Sequence, residues 1–98
     1  MKFKLENNYN LYTLFRRIGY KPGRKDTGEE KDAIRPMGRG GYPRFHLYVK
    51  KDSSSKGFLF SLHLDQKRQS YQGSTAHSGD YDSSLVEQEA ERIKGLVD

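Results

Sequence analysis

A strict alternation of apolar and polar positions over residues 42–66, YPRFHLYVKKDSSSKGFLFSLHLDQ, predicts a long antiparallel hairpin. In its first arm Pro43, Phe45, Leu47 and Val49 point one way, and Tyr42, Arg44, His46, Tyr48 and Lys50 point the other. In its second arm Phe58, Phe60, Leu62 and Leu64 face the core, while Leu59, Ser61, His63 and Asp65 face away. Directly paired residues share a face, so odd positions of the first arm must oppose even positions of the second. If Phe45 faces Leu64, His46 lies opposite His63; one two-residue step away, the histidines are diagonal neighbours.

The flanks follow a different period. Leu11, Leu14, Phe15 and Ile18 form the stripe of an amphipathic helix, with Asn8 or Asn10 as its cap and Gly19 as its left-handed end. Pro22 forbids its continuation, and Arg16 and Arg17 sit in the last turn, where cations oppose the helix dipole. At the other end Ser84-Leu85-Val86-Glu87 reads as a capping box opening a second helix. Val86, Ala90, Ile93 and Val97 form its buried stripe; Glu87, Glu89 and Glu91 are expected in water, and Gly95 either ends the helix or weakens its last turn.

Between these elements the pattern is weaker. Residues 2–6 alternate too briefly to distinguish an edge strand from a frayed tail. Residues 21–41 are expected to form a mobile loop, because the first dozen mix both charge signs with Gly and Pro and contain no apolar side chain. Ala33–Met37 would add a short strand that Pro36 places at a sheet edge, followed by Gly38-Arg39-Gly40-Gly41 as a flexible turn. After the hairpin, Asp65–Gln69 should turn into a short strand at Ser70–Thr75, with Tyr71 and Gly73 on one face, and Ala76–Asp82 is a polar connection. The expectation is one small domain over 1–98, a two-layer α+β fold of α-β-β-β-α order. Its antiparallel sheet is built on the central hairpin, with two helices on one face and the other face open.

Charge sharpens this picture. The net charge is +5, but residues 1–78 hold sixteen Lys/Arg against seven Asp/Glu, and residues 79–98 hold two against six. A basic body with an acidic last helix suits an acidic partner, nucleic acid above all. The absence of cysteine excludes a disulfide framework and thiolate chemistry. No apolar run suggests a signal peptide or a membrane span, so a soluble cytoplasmic protein without membrane contact is the expectation. A chain of 98 residues supports a small core, which favours a site on the surface.

The outer face of the first hairpin arm carries that site. Tyr42 and Tyr48 offer stacking surfaces, Arg44 and Lys50 offer phosphate contacts, and His46 and His63 lie between them, with Arg39, Lys67 and Arg68 widening the positive field. A second constellation comprises His46, His63, Asp65, His77, Asp80 and Asp82. Two neighbouring histidines can divide general acid and base work around a phosphodiester. The same residues could ligate a metal, since His63 and Asp65 share a strand face and His77 could approach from the following loop.

Two stretches carry a family resemblance. Leu14-Phe15-Arg16-Arg17-Ile18-Gly19-Tyr20 resembles the first helix end of HicA-type mRNA interferase toxins, whose fold is similar to double-stranded RNA-binding domains. Phe45-His46-Leu47-Tyr48 resembles their catalytic histidine strand. The resemblance covers residues 9–66 and implies metal-independent RNA cleavage with His46 as the catalytic histidine. The chain departs from the toxins in having Arg44-Phe45 where they place Gly-Ser, and in its 21–32 loop and acidic last helix. Double-stranded RNA-binding domains carry lysines at the start of the last helix, where this chain has Asp80, Asp82 and Ser84, which argues against their mode of duplex binding. The resulting expectation is an RNA-binding module for single strands that uses the open face, with no cofactor and no metal. The rivals are a HicA-like ribonuclease using His46 and His63, and a protein-interaction or self-association domain.

Overall fold

A computed structural model of the chain describes residues 1–7, 9–54, 56–66, 79–80 and 83–97. Five strands, β1 (Lys2–Glu6), β2 (Lys21–Asp26), β3 (Glu30–Pro36), β4 (Arg44–Lys51) and β5 (Gly57–Asp65), form an antiparallel sheet in the order β1-β5-β4-β3-β2. A two-residue β6 (Gly79–Asp80) pairs with the end of β5. Helix α1 (Leu11–Ile18) follows β1, and α2 (Ser84–Val97) is the last element. Neither helix is long and apolar enough to cross a membrane.

The central hairpin forms as its alternation predicts, in the register that pairs Phe45 with Leu64, Leu47 with Leu62 and Val49 with Phe60. These six side chains join Leu14, Phe15 and Ile18 of α1 and Val86, Ala90, Ile93 and Val97 of α2 in one buried cluster. Both helices therefore cover the same sheet face. Asn10 caps α1 by accepting the Thr13 N–H at 2.8 Å. At the other end Gly19, at φ 86°, lets its own N–H reach the Arg16 carbonyl and the Tyr20 N–H reach that of Phe15.

Residues 21–36 correct the sequence expectation. In place of a mobile loop with an edge strand at 33–37, the segment forms the β2–β3 hairpin, and β3 lies inside the sheet between β2 and β4. Its turn is set by Asp26, whose carboxylate accepts the Gly28 N–H at 3.1 Å, with Gly28 at φ 86°. Pro22 is tolerated because β2 is the edge strand, and Pro36 because it is the last residue of β3. A hairpin at the rim needs little apolar area when its backbone is paired by a neighbour, so among its described side chains only Asp32 and Ala33 are buried. Residues 2–6 are likewise a full strand, held by Leu5 in the core and by Phe3 stacked on Phe60 at 5.1 Å.

Two details of α2 also differ. The capping side chain is Ser83, which accepts the Val86 N–H at 3.3 Å, and Ser84 is the first helical residue. The helix runs through Gly95 to Val97. Glu89, expected in water, is buried: its carboxylate accepts from Tyr20 Oη at 2.6 Å, from Arg92 Nε at 2.7 Å and from Arg35 Nη1 at 3.3 Å. Burial, and then the hydrogen bond to Glu89, push the Tyr20 hydroxyl far above its ordinary pKa, so it remains a donor. The third strand expected at Ser70–Thr75 lies outside the described residues.

Candidate functional site

On the sheet face away from the helices the β4–β5 register sets His46 opposite His63, Arg44 opposite Asp65 and Tyr48 opposite Ser61. The imidazole centroids are 5.0 Å apart, and Tyr48 stacks on His46 at 4.5 Å. β3 contributes Asp32, the residue that sequence reasoning missed. The four titratable side chains form a continuous chain of contacts. Asp32 Oδ2 lies 2.7 Å from His46 Nε2, Asp65 Oδ2 lies 3.1 Å from His46 Nδ1, and Asp65 Oδ1 lies 2.7 Å from His63 Nε2. The His46, His63 and Asp32 side chains are only 12%, 10% and 9% exposed.

The electrostatics follow from this geometry. Burial alone would lower the pKa of His46, but hydrogen bonds to Asp65 and Asp32 outweigh it and the net shift is upward. Burial would raise that of Asp65, yet its bonds to His46 and His63 hold the carboxyl well below its usual range. With a carboxylate at each ring nitrogen, His46 is best satisfied as an imidazolium donating in both directions.

Asp32 reaches His46 because β2 leaves room for it. A side-chain carbon at Gly23 would collide with the Asp32 carboxylate. Gly23→Ala is therefore expected to drive that carboxylate away from His46 and to cost about 1–3 kcal/mol, the range for a charged hydrogen bond. Chemical denaturation of Gly23→Ala, Asp32→Ala and the double variant checks this. The glycine substitution should cost little once Asp32 is already gone, and equal costs in both backgrounds would refute the link.

The remaining residues of the expected interface divide into separate groups. Arg44 is drawn into the cluster, with Nε 3.4 Å from Asp65 and its guanidinium over the Tyr42 ring at 4.6 Å. Arg39 is exposed on the β3–β4 turn, away from the paired rungs, and Lys67 and Arg68 lie outside the described residues. Lys50 is exposed at the far end of β4, on an open groove of about 890 Å³ that crosses the sheet. Tyr48 and Leu59 line this groove together with Lys2, Lys4 and Arg24, and with the carboxylates of Glu30 and Asp32. Lys4 is paired with Asp52 at 2.9 Å, whereas Lys2, Arg24 and Lys50 have no ion pair among the described residues.

Lys2, Lys4 and Arg24 were not legible as site residues because the strands that carry them were not. The usable signal was Asp26-Thr27-Gly28, a turn sequence whose two flanks could have been paired. None of the family models, curated proteins or solved structures compared with this chain matches it.

Proposed function

We propose that this protein binds single-stranded nucleic acid, RNA by preference, in the groove across its open sheet face. The observation that carries the reading is the lining of that groove. Lys2, Arg24 and Lys50, with Lys4 paired to Asp52 beside them, outnumber the carboxylates of Glu30 and Asp32 around Tyr48 and Leu59, so phosphates and a base face have complementary surfaces within one depression. Tyr48 is a fixed platform because it is stacked on His46, and an ordered ring loses little freedom when a base stacks on it. The interface is thus centred on Tyr48 and Lys50, while Arg44 and His46 are engaged with Asp65.

Titration of short labelled single-stranded RNA, single-stranded DNA and duplex RNA at two salt concentrations tests the proposal. Affinity should fall with salt by a log–log slope of about −0.7 per phosphate neutralised. Tyr48→Ala should weaken binding by about 1–3 kcal/mol, and Lys50→Ala should reduce the salt slope by about one phosphate contact. Unchanged affinity in both variants would remove the groove from the model.

The rival reading, metal-independent cleavage by His46 and His63 in the manner of the HicA toxins, requires an imidazole nitrogen able to take a proton. Both ring nitrogens of His46 are occupied by carboxylates, so the arrangement favours binding over that chemistry.

A further inference from the structure

We propose that His46, His63 and Asp65 form a binding site for one divalent transition-metal cation of the zinc class, with Asp32 orienting His46 from behind. One donor atom from each of the three residues lies within 4.8 Å of the others. Bonds of about 2.0–2.2 Å to a shared cation require donors somewhat over 3 Å apart, which small side-chain rotations supply. The Asp65 carboxylate already spans the two rings, with Oδ1 2.7 Å from His63 Nε2 and Oδ2 3.1 Å from His46 Nδ1.

The backbone fixes this placement. His46 and His63 are paired across β4 and β5, and Asp65 lies two residues beyond His63 on the same face. Neighbouring strands hold them, so a cation meets a preformed site instead of ordering a loop.

The hydrogen bonds assign the roles. His46 Nδ1 faces Asp65 and is the ligating nitrogen, whereas Nε2 faces Asp32 and keeps its proton. A carboxylate that accepts from the distal nitrogen of a ligating histidine fixes its ring orientation and raises its basicity. On binding, the His46 proton between Nδ1 and Asp65 leaves to solvent, His63 carries its single proton on Nδ1, and the cation takes the lone pairs of His46 Nδ1 and His63 Nε2. Two carboxylates and two neutral imidazoles carry two negative charges, of which the partly exposed Arg44 beside Asp65 offsets one, so the cluster keeps a net negative charge that favours a divalent ion. Two nitrogen donors with one carboxylate favour zinc, cobalt, nickel or copper over magnesium and calcium, which prefer all-oxygen sites. Three protein ligands leave a coordination position for water.

The test uses the full chain after treatment with a chelator. Zinc titrated against it by calorimetry should bind at one equivalent, and magnesium should not compete. His63→Ala and Asp65→Asn should abolish that binding, Asp32→Asn should weaken it about 10–100-fold, and the exposed Glu91→Gln should leave it unchanged. Because a variant in the sheet can lose its fold, the wild-type protein supplies a second measurement. Zinc should shift the ring-nitrogen resonances of both His46 and His63, and cobalt should give the visible spectrum of a nitrogen–oxygen site. Absence of stoichiometric zinc binding, or binding that leaves both histidine rings unshifted, would overturn the assignment. No nucleic acid enters the test, so it stands or falls independently of the groove reading.

Discussion

Phe45→Ala should lower stability by roughly 3–5 kcal/mol, a large part of the 5–15 kcal/mol typical of a small domain. Phe45 is 2% exposed on β4, the middle strand of the five, opposite Leu64, and its ring is part of the cluster that joins the sheet to both helices. Truncation there removes apolar contacts and leaves a cavity that a paired strand cannot close. Urea denaturation should show a lower midpoint with an unchanged slope. A loss below about 1 kcal/mol would mean that the two layers do not pack as described. Tyr48→Ala, three residues along the same strand and on the opposite face, is the informative companion. Its stability cost should be small against that of Phe45→Ala, while its effect on nucleic-acid binding should be the larger of the two.

Glu89→Ala is the second severe substitution, with an expected cost of roughly 2–4 kcal/mol. Alanine suits a helix interior, so the loss would not come from α2 itself. It would come from Tyr20, a 4% exposed residue whose hydroxyl would lose its acceptor, and from Arg35 and Arg92, which would lose their common carboxylate. The arginine side chains are about a third exposed, at 37% and 33%, so water solvates the freed cations and holds the cost below that of a fully buried pair. Glu89→Gln, which retains the packing and one acceptor oxygen, should recover part of the loss. Equal denaturation midpoints for Glu89→Ala and the parent chain would show that the network contributes nothing to folding. The network joins α2 to β3 and to Tyr20, directly before β2, and Arg92 also donates to the Ile18 carbonyl at 2.6 Å. It thereby fastens the β2–β3 side of the sheet to the helix layer, and the site depends on that side for Asp32.

These substitutions also show how far the chain can be read directly. Elements with a full apolar stripe were legible: α1 from Leu11, Leu14, Phe15 and Ile18, the β4–β5 hairpin from its alternation, and the Val86–Ala90–Ile93–Val97 face of α2. The hairpin period even placed His46 beside His63. The β2–β3 hairpin was not legible, because its strands are held by backbone pairing and hold little apolar area, so no hydrophobic period marks them. Glu89 was misassigned for a related reason. On a helical wheel it adjoins the wet side, and two of its partners, Tyr20 and Arg35, are 69 and 54 residues away in the chain.

By itself, then, the sequence determined the α+β class, the two helices, the long hairpin and the nearness of two histidines across it, which the observed register makes a direct pair. Each depends on a local period or on a register forced by one buried face. Only the tertiary structure decided that β3 lies beside β4, that Asp32 closes the cluster from there over Gly23, and that Lys2, Arg24 and Lys50 share a groove with Tyr48. Those are meetings of polar side chains from strands distant in sequence, and charge and hydrogen-bonding capacity have no period from which such partners could be read.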